Sequence, residues 1–446
     1  MVYVRILLLA LCLTSCRKLL TVPTTDNEQS ADVVFGSDAS ADAAVADIYY
    51  TMGMYYSGNL LSVINGLTAD EGITLNVAYQ RFVNNSIPSD DVQISLIWSG
   101  YYKVIYRCNA VLEGLSRAKG LTAEKVLQWK GEALFMRALC YYYLVNCWGD
   151  VPYITTTDVD QTAKAARSPA DSISEWMRND LTDAMALLPE SVPGAARVRA
   201  GRDAAMALMA RVCLQNDQWS VAEFYATQVI NSGRYRLCTQ DSTFLYNSPQ
   251  AILQIWTDGY TLPGLLFIPG ENTPSYYPLS TSTMGGFEDG DLRKTAWTRS
   301  FIYAGNTYYY PFKYKKRVVT TGEDREYLMV LRFAEQYLIR AEARAQQENY
   351  PEAIADLNKI RAVAGVNALD PNHTRTSTIA AVAQERRSEL FCEWGDRWLS
   401  LKRMGTLDQV LGALKPGYWK DWAAYYPIPQ AERDKDPNLT QNPGYQ

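Results

Sequence analysis

Two stretches of this chain match each other without a gap: Ala210–Ile230, "ARVCLQNDQWSVAEFYATQVI", and Ala341–Ile360, "AEARAQQENYPEAIADLNKI". Ala210 falls on Ala341, Trp219 on Tyr350, Ala222 on Ala353 and Val229 on Ile360. Each stretch has a small residue on a first helical run, an aromatic at the break and a small residue on a second run. Small residues let two antiparallel helices approach closely, and the aromatic fills the corner between them. One such pair is weak evidence. Two in phase predict a scaffold of stacked helical hairpins.

This is the tetratricopeptide pattern, and the rest of the chain carries the same periodicity. Apolar residues recur at three- and four-residue spacing over Ser40–Tyr56, Ile94–Leu115, Ala123–Trp148, Asp171–Leu188, Arg202–Leu214, Ser220–Asn231, Leu331–Gln347, Pro351–Val363 and Thr378–Arg403. Ser172, Ser220 and Thr378 are helix-start residues, and Gly365 and Gly405 are helix stops. The texture changes between residues 235 and 330. There Gly, Pro, Ser, Thr and Tyr interleave with short strand-like runs, Ala251–Trp256 and Tyr308–Tyr314. A second loop-rich patch covers 58–91. The expected fold is mainly α: a tetratricopeptide-like scaffold of helical hairpins with an irregular, loop-rich insert that contains short strands.

The N-terminus reads as an export and anchoring signal. Ile6–Leu13 is a run of eight apolar residues, against roughly 20 for a membrane-spanning helix. Arg5 before it and Thr14-Ser15 after it give the three parts of a secretory signal. Leu13-Thr14-Ser15-Cys16 is similar to the lipobox of bacterial lipoproteins, which makes Cys16 the expected lipid anchor; several acyl chains hold a protein stably where one does not. The expected organisation is a signal peptide at 1–15, a lipidated tether at 16–30, an N-terminal helical region at 31–234, the insert at 235–330 and a C-terminal helical region at 331–446.

Composition bounds the rest. With 446 residues, 48% hydrophobic and 20% charged, the chain has room for a large core. A net charge of −5 is not the basic footprint that nucleic acid demands. Tyrosine is the abundant aromatic: 31 Tyr and 11 Trp stand against 11 Phe. Tyr and Trp combine a flat apolar face with a polar handle, which suits sugar- and peptide-binding surfaces and large helical cores alike. Cys12 leaves with the signal. Cys108, Cys140, Cys147, Cys213, Cys238 and Cys392 form no CxxC pair, so zinc-ribbon and thioredoxin readings fail, and Cys140 and Cys147 read as small buried hydrophobes on one helix face.

Four further stretches carry a resemblance. "GEALFMRALCYYYLVNCWGDVPYI" (131–154), "LRFAEQYLIRAEA" (331–343), "QERRSELFCEWGDRWLSLKRMG" (384–405) and "YYPIPQAERDKDPNLTQNPGY" (425–445) follow one another behind the lipobox. In that order they resemble the SusD/RagB family of outer-membrane nutrient-binding lipoproteins. The resemblance implies capture of an oligosaccharide, or less often peptides, without bond-breaking and without a cofactor or metal. It implies a SusC-like TonB-dependent outer-membrane transporter as partner, and a lipid-anchored, surface-facing location. Two positions depart from the family pattern: Ser400 stands where Asp is usual, and Asp436 where Asn is common. Arg17-Lys18 replaces the acidic residues that usually follow the anchor cysteine.

Residues for enzymatic chemistry are few. His373 is the only histidine, and no Gly-x-Ser-x-Gly elbow accompanies it. Glu385, Glu389 and Glu393 share a helix face, and two carboxylates suffice for a glycosidase; flanking Arg386, Arg387, Arg397 and Arg403 favour a structural charge network instead. Asp434, Asp436 and Asn438 alternate like half a calcium loop but lack its glycine and its closing acid. Asp70-Glu71 reads as a pin for its loop. A third alternative is an adhesin or scaffold that grips only proteins.

Sugars are held by stacking on aromatic faces while polar groups bond the hydroxyls, and loops on a rigid scaffold vary such surfaces best. The candidates are therefore Tyr55, Tyr56, Asn76, Tyr79, Arg81 and Asn84 from the first patch. The insert adds Trp256, Tyr260, Tyr276, Tyr277, Trp297, Tyr308, Tyr309 and Tyr310. Each touches ligand or packs its loop. Trp98, Trp129 and Trp148 read as core.

Overall fold

The computed structural model describes residues 31–445, apart from 55, 56, 193, 195, 258–261, 272 and 318–321. Helices α1 (Asp38–Met54), α2 (Ser57–Thr68), α3 (Val92–Arg117), α4 (Ala123–Trp148), α5 (Ala170–Leu187), α6 (Arg202–Gln215) and α7 (Trp219–Asn231) make the first half. Strand β1 (Ala251–Ile255) and the hairpin of β2 (Thr298–Tyr303) and β3 (Asn306–Pro311) follow. Strand β4 (Leu328–Arg332) leads into α8 (Phe333–Gln346), α9 (Tyr350–Ala364), α10 (Arg375–Leu390), α11 (Asp396–Arg403) and α12 (Leu407–Leu414). The fold is mainly α-helical and tetratricopeptide-like, as the repeats predict.

Local chemistry sets the helix ends. Asp91 caps α3, its Oδ1 accepting from the Gln93 and Ile94 amides at 2.8 and 3.0 Å. Gly365 ends α9 with a left-handed φ of 72°. From Trp129 to Trp148 nearly every residue of α4 is buried, so this helix is the axis of the core; a helix apolar on all sides belongs inside. From α3 to α9 each helix packs against the next in chain order, and α10 returns onto α8. The contact alanines Ala210, Ala222, Ala341 and Ala353 are fully buried.

Three boundaries differ from the sequence reading. The first lies in the patch at 58–91, which contains α2: Leu60, Leu61, Val63, Ile64 and Leu67 are buried on a helical repeat too short to stand out beside its glycines. The second is at Leu331, which belongs to β4, paired antiparallel with β1, so α8 begins two residues later. The third is in the run Thr378–Arg403, which is two helices broken at 391–395. Cys392, Trp394 and Gly395 there have φ of 58°, 51° and 73°. The break is imposed from outside. The Trp394 amide donates to Ser62 Oγ at 2.8 Å and its indole to the Met329 carbonyl at 2.7 Å, while a Cβ on Gly395 would overlap Asn65.

Candidate ligand-binding surface

The two loop-rich segments, two hundred residues apart in sequence, are stitched together at the end of α2. The Ile73 amide donates to the Pro278 carbonyl at 2.8 Å and the Ser280 amide to the Glu71 carbonyl at 2.9 Å, while within the insert the Leu279 amide donates to the Tyr309 carbonyl at 2.7 Å. Ser280 also caps the short helix Thr281–Gly285. Lys415 closes the other side, its ammonium donating to the Leu67 and Thr68 carbonyls at 2.8 Å each; these are carbonyls a helix end leaves without partners.

Asp70 and Glu71 have separate tasks. Asp70 is buried among charges: Arg397 Nε donates to it at 2.6 Å, Arg387 Nη2 at 2.9 Å and Ser282 Oγ at 3.1 Å. Burial alone would raise its pKa, but the Arg397 and Arg387 guanidiniums hold it below the usual carboxylate value. Glu71 lies deeper. It accepts from the Tyr277 hydroxyl at 3.4 Å and from the Cys392 amide at 3.3 Å. Burial, followed by the charge of Asp70, pushes its carboxyl up to about 7. The acidic pair pins the loop to α10 and α11, in line with the sequence reading.

On this base the candidate aromatics separate into two groups. Tyr276 is 42% exposed, and its ring centroid lies 6.3 Å from that of Tyr79, so the structure brings together one residue from each loop-rich segment. Tyr79 packs in turn on Phe82, over which Arg81 stands at 4.5 Å while also pairing with Asp91. Asn76 shapes the backbone here, its Oδ1 accepting from Ala78 N at 2.9 Å, while Asn84 Oδ1 accepts from the Gln80 side-chain Nε2 at 3.0 Å. Tyr309 is 42% exposed on the strand that holds Leu279. Its neighbours Tyr308 and Tyr310 turn to the opposite face of the hairpin and pack on Phe301 at 5.6 and 5.9 Å. Trp256 follows β1, half exposed, beside Gly53 of α1.

Two candidates are buried and shape the loops instead of facing solvent. Tyr277 is wedged between Gly66 and Gly72, where a Cβ on Gly72 would stand 2.5 Å from its ring. Trp297 is 1% exposed and donates its indole N–H to the Gln240 carbonyl at 3.1 Å. Cys16, Tyr55, Tyr56 and Tyr260 lie outside the described residues. The sequence reading did not single out Val77, Ile302 or Tyr303, all well exposed beside Tyr79 or at the hairpin tip. The signal for the tip was present in Ala304-Gly305, whose φ of 48° and 79° make the tight turn.

The three carboxylates are engaged, Glu385 and Glu389 on α10 and Glu393 in the break after it, off the helix face expected from its spacing. Glu389 accepts from Arg332 Nη1 at 2.5 Å and Arg293 Nη1 at 3.0 Å, and Glu385 from Arg293 Nη1 at 2.6 Å and Arg361 Nη1 at 3.1 Å. Glu393 accepts from Arg332 Nε at 2.7 Å and Lys313 Nζ at 2.5 Å. Each is tied to two cations in a buried network. None faces the loop surface as a free acid or base. Asp436 Oδ1 accepts from the Asn438 amide at 2.9 Å, a local turn, and Asn438 donates to the Lys164 carbonyl at 2.9 Å.

A family model described as "Starch-binding associating with outer membrane" matches residues 25–214, and one described as "SusD family" matches 294–445, together well over half of the chain. The chain belongs to the SusD/RagB family. The SusD-like protein P2 of Formosa agariphila is 24% identical, over 92% of this chain and 93% of the relative. A SusD superfamily protein from Parabacteroides distasonis superposes with a TM-score of 0.79 at 23% identity, over 91% of this chain and 99% of the other. A laminarin-binding SusD-like protein superposes with a TM-score of 0.78 at 22% identity, over 92% of this chain and all of the other. Within this SusD/RagB fold the departure at Ser400 has a visible consequence: a neutral hydroxyl accepts from Arg386 Nε at 3.0 Å and donates to Asp396 at 3.1 Å. A broad cleft of about 810 Å³ runs along α3, with Trp98, Tyr102 and Tyr106 on successive turns and Glu432, Lys435 and Asp436 opposite. Trp98 is buried there as read, 5.0 Å from Tyr102 and 5.4 Å from Trp148.

Proposed function

We propose that this SusD/RagB chain is a non-catalytic, lipid-anchored outer-membrane protein that captures oligosaccharides for import through a SusC-like TonB-dependent transporter. The observation that carries the reading is the Tyr79–Tyr276 pair. It sets aromatic faces from two distant loops side by side at the surface, above a base fixed by Asp70, Glu71 and Tyr277. Stacking on such faces is how a protein holds a sugar ring without chemistry. Arg81, Asn76 and Asn84 border the pair with groups able to bond hydroxyls. Capture needs only that the ligand be held while the transporter supplies energy. Cys16 is the point of anchorage and the segment to Ser30 the tether.

Glucans come first among ligands to test, because one structural neighbour binds laminarin and one family description is starch-binding. Calorimetric titration of the mature chain with laminarin and with soluble starch oligosaccharides should give saturable binding by one of them. Tyr276→Ala and Tyr79→Ala should each weaken it roughly fivefold, the worth of about 1 kcal/mol of ring contact. Tyr106→Ala, in the α3 cleft, should leave it unchanged. Loss in Tyr106→Ala with retention in Tyr276→Ala would move the site to the cleft, and release of new reducing ends would restore the hydrolase reading. Membrane fractionation of Cys16→Ala tests the anchor: the variant should become soluble, and one that still sediments with membranes has another attachment.

A further inference from the structure

Between α10 and α11 lies a cavity of about 500 Å³ that contains none of the candidate aromatics and reaches the loop junction only at Glu71. Thr376, Ala380 and Gln409 are exposed at its rim, while Arg386, Leu390 and Leu401 line it as buried residues. Ile379, Ala383 and Met404 complete an apolar wall. Arg387 and Arg397 join Arg386 in the lining, and the Arg386 side chain is only 3% exposed.

The charges around this cavity do not balance. Asp396 takes Arg386 at 2.5 Å, and Asp70 takes both Arg387 at 2.9 Å and Arg397 at 2.6 Å. Glu335, 3.8 Å from Arg386, already receives Arg211 at 2.5 Å. Glu71, the remaining acid in the lining, is held toward its neutral form by burial. Glu342, a further acid near Arg386, pairs with Arg403. With Arg211 and Arg403 included, five guanidiniums here share four committed carboxylates, Asp70, Asp396, Glu335 and Glu342. Ser400 meets Arg386 with a neutral hydroxyl. Two buried donors on these arginines, Arg386 Nη1 and Arg387 Nε, have no hydrogen-bond partner among the described residues. A buried guanidinium N–H left unpaired is costly, and native proteins seldom leave one so.

We propose that this cavity binds an amphipathic carboxylate, with its head on Arg386 and Arg387 and its apolar body along Ile379, Leu390 and Met404. A planar carboxylate matches the guanidinium fork, and the apolar wall excludes a ligand that is charged throughout. The site is distinct from the glycan surface, whose aromatics lie on the loop face, but it shares Glu71 and Arg387 with the base of that surface.

Titration of the mature chain with sodium octanoate tests it, with 1-octanol and sodium sulfate as controls for the body and the head. One octanoate should bind per chain, at least tenfold more tightly than either control. Ser400→Asp supplies a carboxylate beside Arg386 and Arg403 and should abolish octanoate binding while the melting temperature holds or rises. Ala383→Leu fills the wall without touching the charges, carries the same expectation and serves if Ser400→Asp does not fold. Absence of saturable octanoate binding, sulfate binding as tight as octanoate, or wild-type affinity in both variants would overturn the proposal.

Discussion

The Tyr277 hydroxyl donates to Glu71 Oε2 at 3.4 Å, and the ring that reaches it passes between Gly66 and Gly72. One side chain thereby locks the insert onto the end of α2, directly under the exposed Tyr276. A Cβ on Gly66 would overlap the hydroxyl, so the lock depends on the absence of a side chain there. Gly66→Ala should cost about 1–3 kcal/mol in urea denaturation, the range for overpacking a tight core. It should also weaken glycan binding, although Gly66 touches no ligand, because the loop that carries Tyr276 shifts. Full stability in this variant would mean the wedge is looser than its geometry indicates.

Glu71 makes the same junction sensitive to pH. Burial, then the charge of Asp70, raises its carboxyl from 4.5 to about 7. Between those values the folded chain keeps a proton that the unfolded chain releases. The stabilisation is complete below about pH 4.5 and is lost as pH rises through 7. Compared with Glu71→Gln, the wild type should lose about 2 kcal/mol of stability between pH 5 and pH 8. Urea midpoints at the two pH values provide the measurement. Parallel behaviour of the two proteins would show that Glu71 ionises normally in the folded state.

These two residues also show how far the sequence could be read. Helical spacing and the alanines at 210, 222, 341 and 353 disclose the hairpins, because any helices that touch so closely need small residues at the contact. The candidate surface is different. Tyr276 and Tyr277 are neighbours of one type in one loop, yet one is half exposed and the other fully buried. What separates them is Gly66 and Gly72, two hundred residues away, and no local pattern reports that pairing. The break at 391–395 has the same cause. Phe391, Cys392 and Trp394 continue an apolar helical spacing, and it is Ser62 and Asn65 on α2 that hold the chain in its left-handed turn.

Glu389 distinguishes a charge network from a catalytic site. Burial would raise its pKa, but Arg332, Arg293 and Lys313 together hold the carboxyl at about 2. Glu389→Gln leaves those cations buried and short of a counter-charge, which should destabilise the fold by about 3–5 kcal/mol. Chemical denaturation reads this directly, with a glycan-cleavage assay run in parallel. A stable Glu389→Gln protein that loses a glycan-cleaving activity of the wild type would identify the carboxylate as catalytic.

The matched repeats share one turn down to its torsions. Asp217 and Glu348 both adopt a left-handed φ, 56° and 67°. The residues that follow, Gln218 and Asn349, have φ of −88° and ψ of 63° and 64°. Each donates its amide back across the turn at 2.9 Å, Gln218 to Cys213 and Asn349 to Arg344. The left-handed residue is therefore a requirement of the hairpin and not an accident of either side chain. For a residue with a Cβ that conformation costs roughly 1–2 kcal/mol, and Asp tolerates it better than Glu. Glycine removes the steric cost but adds about 0.5–1 kcal/mol of chain entropy in the unfolded state. Glu348→Gly should therefore stabilise the protein by roughly 0.5–1 kcal/mol, and Asp217→Gly by less. Proline at either position should disrupt the hairpin, since its φ is fixed near −65°. Denaturation midpoints for the four substitutions test the order, and a glycine at 348 that destabilises would show that the Glu348 side chain contributes something beyond its backbone.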